Sequence, residues 1–224
     1  LLYNVLITIA LPFFWIAAYF NDKLGESLTG QKNIERALLR FKDKVKSEPK
    51  PIVWLHAASA GEFEQIQPIL NRLIHMDLYV FQTFTSATIY NKVSFDKRFD
   101  GVSFLPWDIY PRVNNFIKLL SPDIFINTRH DIWPNLLLSL HRNQVRNILI
   151  NANLYQDSKR LFPFVKSINA SIFQQIDHVY TGSESLKELL QTIYSGTIEV
   201  VGDSRFDQVK ERADTNDSEY ISSN

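Results

Sequence analysis

One carboxylate, Glu62, lies where a predicted strand gives way to an amphipathic helix. The apolar segment 52–57 reads as a strand, and Ser59, Gly61 and Glu62 come directly after it. Further along, apolar residues recur at helical spacing, at Ile66, Ile69, Leu70, Leu73 and Ile74. Open α/β sheets bind ligands outside the carboxyl ends of their strands, so this carboxylate is a candidate general base. An acidic residue here also favours a helix N-terminus, and the sequence leaves both interpretations open.

Five more polar clusters lie directly after predicted strands, at 83–88, 127–135, 151–153, 183–184 and 202–207. The hydroxyls of the first cluster either bind an anion at a helix N-terminus or only cap that helix. In the second cluster, Arg129 and Asp131 either contact a ligand or form an ion pair that orders the loop. Because parallel strands end at one edge of a sheet, the five clusters together predict a cleft.

The elements that must position these residues alternate regularly along the chain. Predicted strands lie at 52–57, 79–83, 102–105, 123–127, 146–150, 178–181 and 198–201. Predicted helices lie near 62–75, 86–95, 110–120, 133–142, 162–175 and 184–193. This alternation predicts an α/β fold, with a mostly parallel sheet and helices on both faces.

Composition and missing motifs exclude several kinds of function. The chain has 24 Lys and Arg and 24 Asp and Glu, so its net charge gives no indication that it binds nucleic acid. It has no cysteine, which excludes disulfides, thiolate catalysis and cysteine-based metal sites. Glycine-rich dinucleotide and phosphate-loop motifs, D-x-D pairs and H-x-x-x-H pairs are also missing from the sequence. We therefore expect neither a metal nor another cofactor.

The first twenty residues carry no charge, and a helix of about that length spans a bilayer core. We therefore predict a membrane anchor at 1–20 that contributes nothing to the sheet. Pro12 would interrupt a regular helix, so a kinked span or a helix within one leaflet stays open. Residues 21–50 hold eight Lys and Arg, which favours a cytoplasmic location for this segment and for the α/β body after it.

The basic segment 21–50 also has an apolar stripe at helical spacing, formed by Ile34, Ala37, Leu38, Phe41 and Val45. This helix either packs on the domain or lies on a membrane surface. The α/β domain is expected to span 51–211. Residues 212–224 are polar and aperiodic, which predicts a disordered tail.

Short motifs in a fixed order give the chain a family resemblance. They are S-x-G-E at 59–62, T-F-T at 83–85, L-P-x-D at 105–108, W-P-N at 133–135, N-A-N at 151–153, S-E at 183–184 and G-D-S-R-F-D at 202–207. In this order they resemble the N-terminal half of 3-deoxy-D-manno-octulosonic acid (Kdo) transferases. Those enzymes are membrane-anchored, inverting glycosyltransferases with two domains, the GT-B type.

The resemblance implies a Rossmann-like N-terminal domain that helps to move Kdo from CMP-Kdo to a lipid A precursor in lipopolysaccharide synthesis. It implies a location on the cytoplasmic face of the bacterial inner membrane, and it matches Glu62 to the catalytic base. The substrate-binding candidates are Ser59, Gly61, Thr83, Thr85, Arg129, Asp131, Asn151, Ser183, Glu184 and Arg205. Two rival hypotheses are a non-catalytic module that binds lipid A and a related transferase for another sugar.

The chain departs from the family pattern at several of these positions. Arg129 stands where the family usually has a carboxylate, and Arg205 stands in place of a lysine. The segment 82–88 lacks the family's Pro and Gly, and Asn153 replaces an arginine. The family's second domain, which holds most of the donor contacts, is expected to be absent from this chain. The changes at the cleft put acceptor specificity in question.

Overall fold

The computed structural model describes residues 2–129, 131–154, 163–204 and 206 of the chain. Within these residues, seven strands form one sheet in which every neighbouring pair is parallel. The strands are β1 (Ile52–Ala57), β2 (Tyr79–Phe84), β3 (Gly101–Phe104), β4 (Ile124–Thr128), β5 (Arg146–Ala152), β6 (His178–Thr181) and β7 (Thr197–Val200). Their spatial order is β3-β2-β1-β4-β5-β6-β7.

Helices precede and connect the strands. They are α1 (Leu2–Tyr19), α2 (Asp22–Val45), α3 (Ala60–Leu73), α4 (Ala87–Val93), α5 (Tyr110–Leu120), α6 (Pro134–Arg142), α7 (Pro163–Phe173) and α8 (Glu184–Gln191). Each predicted strand and helix between residues 52 and 201 is present, with ends shifted by two residues at most. The predicted Rossmann-like α/β fold is confirmed.

Both faces of the sheet are buried, because successive strand side chains point to opposite faces. Trp54 lies on one face, where its ring centroid is 5.0 Å from Phe116 of α5 and 4.4 Å from Phe125 of β4. On the other face, Leu55 belongs to the same buried cluster as Ile66 of α3. Burial on both faces explains why the strands read as continuous apolar runs in the sequence.

The strand order reverses between β1 and β4, which creates a crevice at the carboxyl ends of these two strands. From β1 the chain proceeds to β2 and β3 on one side, and β4 to β7 lie on the other side. In sheets of this type, ligands bind in the crevice at that switch point. The segments 58–62 and 129–133, both rich in predicted site residues, come directly after β1 and β4.

Helix α2 packs on the sheet through its apolar stripe. Leu38 and Phe41 are 1% and 2% exposed and belong to the core, whereas Lys42 is exposed. A Cβ atom at Gly30 would lie 2.3 Å from the Phe104 ring, so this glycine permits the close approach of α2 to β3. The structure therefore shows α2 packed on the domain, which is the first of the two alternatives that the sequence left open.

Helix α1 continues through Pro12, where the sequence predicted an interruption. It adds nothing to the sheet, yet its first turn is hydrogen-bonded to the domain. The Tyr3 hydroxyl donates to Asp108 Oδ2 at 2.6 Å, and Asn135 Nδ2 donates to Asn4 Oδ1 at 2.6 Å. The first turn of α1 is thus fixed to the domain at two points.

No single helix in the described part of the chain is long and apolar enough to cross a membrane. The stretches Tyr3–Tyr19 and Leu24–Val45, with a 119° bend between them, satisfy the length and composition criteria only as a pair. The predicted tail at 212–224 lies outside the described residues.

Candidate active site

Glu62 lies in the first turn of α3, at the switch point between β1 and β4. Ser59 is the N-cap residue of this helix, and its Oγ accepts the backbone N–H of Glu62 at 3.3 Å. In return, Glu62 Oε2 accepts the backbone N–H of Ala58 at 2.6 Å. The side chain is therefore a helix cap, and the position is also the one expected of a general base. The two interpretations left open by the sequence are compatible.

Gly61, the residue before Glu62, is open to solvent where a side chain would lie. A Cβ atom built on Gly61 would meet no atom within 4 Å, and the residue is exposed. Packing within the described chain therefore does not require a glycine here. The space beside α3 is available to a substrate.

Two residues at neighbouring strand ends have a left-handed backbone. Arg129 comes directly after β4 with φ 62°, and Asn151 lies near the end of β5 with φ 50°. The Arg129 N–H donates to the Ile150 carbonyl at 2.8 Å, which joins the two strand ends. Non-glycine residues in this conformation store strain, which tends to concentrate at functional sites.

Arg129 and Asp131 do not pair with each other in the described structure. Among the described residues, the guanidinium of Arg129 forms no ion pair, whereas Asp131 Oδ2 lies 2.7 Å from His56 Nε2. The side chain of Asn127 fixes the loop instead, since its Nδ2 donates to the Asp131 carbonyl at 2.7 Å. Arg129 is thus positioned by its backbone rather than by a loop-ordering ion pair.

His56 is a site residue that the sequence analysis missed. It lies within β1 and is completely buried, and its Nδ1 lies 2.9 Å from Thr83 Oγ1. Thr83 was expected to bind substrate, but its side chain is completely buried and also accepts the indole N–H of Trp54 at 2.8 Å. Thr83 therefore supports the site from below. Its burial leaves no surface for contact with a substrate.

Thr85, two residues further along, is exposed at the edge of the sheet. Its Oγ1 lies 3.5 Å from His56 Nε2, so it is adjacent to the His56–Asp131 contact. Thr85 also lines an apolar cavity of about 420 Å³ between α1, α2 and the loop that precedes α5. Other residues that line this cavity are Ile7, Leu11, Leu24, Leu105, Trp107 and Trp133.

Asn151 connects the segment after β7 to helix α3. Its Nδ2 donates to Ser204 Oγ at 2.7 Å and its Oδ1 accepts the Ser204 N–H at 3.1 Å. Ser204 Oγ in turn donates to the carbonyl of Gln65 at 2.7 Å. These contacts give Asn151 a clear structural role, and a contact with substrate stays a prediction.

The remaining candidates lie further along the same sheet edge. Ser183 caps α8 by accepting the Leu186 N–H at 3.3 Å, and Glu184 is largely exposed, with Lys187 at 3.7 Å. Arg205 lies outside the described residues.

The L-P-x-D and W-P-N motifs contact each other away from the crevice, and their contact stabilises a helix end. Asp108 of L-P-x-D is 5% exposed, and its carboxylate accepts the N–H groups of Asn135 and Leu136 at 3.0 and 2.8 Å. The carboxylate thereby caps α6, whose own N-cap residue Trp133 supplies no side-chain bond. Burial raises the pKa of Asp108, and the nearby charge of Asp131 also raises it, against the lowering effect of the Tyr3 and backbone hydrogen bonds.

Among the described residues, no group of three or more His, Cys, Asp or Glu side chains is placed to hold a metal ion. Among the described residues at the switch point, the groups that could do chemistry are the Glu62 carboxylate, the Arg129 guanidinium, the His56–Asp131 contact and neutral polar groups.

Comparison with known proteins agrees with this geometry. Residues 32–208 match the family model of 3-deoxy-D-manno-octulosonic-acid transferase (kdotransferase). The chain belongs to this family. The match covers the whole sheet, and the glycosyltransferase activity is that of the family.

Curated relatives include Kdo transferases from several bacteria. The chain is 29% identical to the 3-deoxy-D-manno-octulosonic acid transferase of Chlamydia trachomatis serovar D over 183 residues, which cover 78% of this chain and 42% of that protein. It is 24% identical to the enzyme of the same name from Bordetella pertussis, over 71% of this chain and 39% of that protein. A bifunctional glycosyltransferase/methyltransferase of Fusobacterium nucleatum is 22% identical, over 98% of this chain and 34% of that protein. The chain thus spans about two fifths of the length of the Kdo transferases it matches.

Proposed function

We propose that this chain forms the acceptor side of an inverting Kdo transferase, with Glu62 as the general base. The full reaction would move Kdo from CMP-Kdo to a lipid A precursor during lipopolysaccharide synthesis. The observation that carries the proposal is the position of Glu62, which is held by the Ala58 N–H in the first turn of α3, at the switch point of the sheet.

In this mechanism, Glu62 accepts the proton of an acceptor hydroxyl while that oxygen attacks the anomeric carbon of Kdo. Attack comes from the face opposite CMP, so the configuration inverts. An alcohol is too weak an acid to lose its proton in advance, and the carboxylate must therefore be in place as the bond forms. The hydrogen bond from the Ala58 N–H and the burial of the side chain, which is 9% exposed, fix the carboxylate for this role.

Arg129 is proposed to bind a phosphate of the acceptor. Arg129 comes directly after β4, at the switch point, and its guanidinium has no ion-pair partner among the described residues. A guanidinium binds phosphate through two parallel hydrogen bonds, which gives both affinity and orientation.

The N-terminal helices support a lipid acceptor and a location at the membrane. Helix α1 exposes large apolar side chains, which are Val5, Leu6, Ile9, Phe13 and Ile16. Exposed apolar patches of this kind mark interaction sites, including membrane contacts. We propose that α1 attaches the protein to the cytoplasmic face of the bacterial inner membrane, with the basic face of α2 towards anionic lipid.

The donor CMP-Kdo is proposed to bind mainly outside this chain. Since the chain covers about two fifths of the related Kdo transferases, a donor-binding half on the remaining part of such a protein fits the two-domain GT-B type. No cofactor is expected in this scheme.

Kdo transfer is tested directly by incubating membranes that contain the full-length protein with CMP-Kdo and a lipid A precursor. We expect mass spectrometry to detect addition of Kdo to the acceptor and NMR to show inverted anomeric configuration. Binding of the acceptor without transfer would favour the non-catalytic module. Transfer from another sugar nucleotide alone would favour a related transferase.

Substitution of Arg129 tests the phosphate contact. In Arg129→Ala, we expect acceptor affinity to fall about tenfold at low salt and less at high salt, because salt screens an exposed charge contact. Titration of lipid A precursor into both proteins at two ionic strengths measures the difference. Arg146→Ala is the matched control, since Arg146 is exposed at the amino end of β5, at the edge of the sheet opposite the crevice. Equal affinities of Arg129→Ala and wild type at both ionic strengths would contradict the phosphate role.

A further inference from the structure

The contacts beneath the crevice form a connected chain of buried polar groups on β1 and β2. The indole N–H of Trp54 donates to Thr83 Oγ1 at 2.8 Å, and Thr83 Oγ1 lies 2.9 Å from His56 Nδ1. All three side chains are completely buried. Buried polar groups are costly unless they are paired, so their presence here needs an explanation beyond packing.

These partners determine which way the His56 ring faces. An indole N–H only donates, so Thr83 Oγ1 accepts from Trp54. Its own proton can go to His56 Nδ1 at 2.9 Å or to the Leu55 carbonyl at 3.4 Å. The Thr83 carbonyl, 3.1 Å from Nδ1, is an alternative acceptor when Nδ1 carries a proton. In both arrangements Nδ1 is satisfied within the protein, and the buried Nε2 faces Asp131 and Thr85.

At Nε2, the ring lies beside the carboxylate of Asp131 and within 3.5 Å of the Thr85 hydroxyl oxygen. Nε2 lies 2.7 Å from Asp131 Oδ2, and the oxygen lies off the line of the ring N–H, so the contact does not have hydrogen-bond alignment. Catalytic and binding contacts are often misaligned without substrate and become aligned when it binds. The Asp131 side chain is 13% exposed while its Oδ2 is buried, so the rest of the side chain accounts for this exposure.

The negative charge of Asp131 gives a second reason for a contact with His56. Its charge acts on the buried Asp108 carboxyl and contributes to raising the pKa of that group. Two carboxylates that repel each other are disfavoured unless a donor or a positive charge is nearby. Apart from His56, the described structure gives the Asp131 carboxylate no ion-pair partner.

We infer that His56 is a positioning residue that holds the Asp131 carboxylate at the mouth of the crevice for contact with the acceptor. Trp54 and Thr83 fix the ring from below, and Nε2 holds the carboxylate from the side. This inference rests on the proposed function, since it assigns Asp131 to the acceptor side of the same crevice.

A pair of isosteric variants separates positioning from packing. The terminal amide of glutamine takes the place of Nε2, whereas that of asparagine takes the place of Nδ1 and does not reach Asp131. In the full-length protein, we expect His56→Asn to raise the acceptor KM roughly tenfold, with a smaller change in kcat. This is the effect of losing one hydrogen bond to a charged group, here a bond that becomes aligned when the acceptor binds. We expect His56→Gln to restore a KM within about threefold of wild type.

The matched control is His178, the first residue of β6, which lies at the amino ends of the strands, opposite the crevice. Its Nε2 lies 2.7 Å from Glu199 Oε1. Both His178→Asn and His178→Gln are expected to leave the acceptor KM unchanged. Circular dichroism and urea unfolding give the folded fraction of every variant, and the kinetic constants are normalised to it.

A second measurement does not depend on turnover. In ¹⁵N NMR of the chain, the His56 ring is expected to carry a proton at Nε2, and its signals are expected to shift in Asp131→Asn. An unprotonated Nε2 or a lack of response to Asp131→Asn would overturn the inference. Equal acceptor KM values for His56→Asn and His56→Gln would also overturn it, since packing alone predicts equality. Kdo transfer that depends on Glu62 but not on His56 would leave the proposed function standing.

Discussion

Glu62→Gln is expected to reduce Kdo transfer by the full-length protein by about 10²–10⁴-fold, the usual contribution of a general base. Glutamine keeps the size of the side chain, and its amide oxygen can still accept the Ala58 N–H that Glu62 Oε2 accepts at 2.6 Å. The helix cap is therefore retained while the basic site is lost. Initial rates with CMP-Kdo and a lipid A precursor, compared with acceptor affinity, measure the effect.

The matched control for this prediction is Glu64→Gln on the same helix. Glu64 is half-buried and lies two residues beyond Glu62 in α3. We expect its substitution to change the rate less than about threefold, since side chains two residues apart on a helix point to different faces. If a folded Glu62→Gln protein transfers Kdo at nearly the normal rate, Glu62 is not the base.

The largest loss of stability is expected for Asp108→Ala, at about 3 kcal/mol in the free energy of unfolding. The change removes the acceptor of three donors, which are the Tyr3 hydroxyl and the N–H groups of Asn135 and Leu136. These donors are left without a partner at a buried site and at the start of α6. Urea unfolding monitored by circular dichroism measures the loss.

The pH dependence of this loss has a defined sign. Because burial raises the pKa of Asp108 above its ordinary value of 3.8, the folded protein binds a proton there more readily than the unfolded chain. The stability that this group contributes is fully present below about pH 3.8 and falls as pH rises through the raised pKa. Asp108→Ala lacks this dependence, so the stability difference from wild type should be larger near pH 4 than at pH 7.

Asp77→Ala is the control for both statements about Asp108. The Asp77 side chain is 83% exposed and pairs with Lys50 on the surface, so its removal should change stability by less than about 0.5 kcal/mol. If Asp108→Ala unfolds at the same urea concentration as Asp77→Ala, the carboxylate does not hold α6 and α1 in place.

The amino-acid sequence determined the fold and the edge at which the site lies. Short apolar runs and the 3.6-residue helical period are local properties of the chain, so the strands and helices between residues 52 and 201 were predicted within two residues of their ends. Alternation of strand and helix then leaves little choice except parallel pairing with helices on both faces. The position of Glu62 after β1 was predicted for the same reason.

The tertiary structure decided which polar residues face the crevice and which support it. The sequence grouped Thr83 with Thr85, but their spacing does not show that β2 ends between them, at Phe84, or where burial ends. The structure places the Thr83 hydroxyl between Trp54 and His56 inside the sheet, and Thr85 at its edge. Likewise, Asp108 and Asn135 are 27 residues apart, and only packing shows that they form one cap.

His56 shows this division most clearly. The sequence does not distinguish a histidine that supports a site from one that only packs in the core, because both lie within an apolar strand. Its role depends on contacts with Thr83, 27 residues away, and with Asp131 on another strand end. Sequence patterns report which face of an element is buried, because periodicity is local. Pairing between polar groups on different elements depends on sheet order and register, and these exist only in the folded chain.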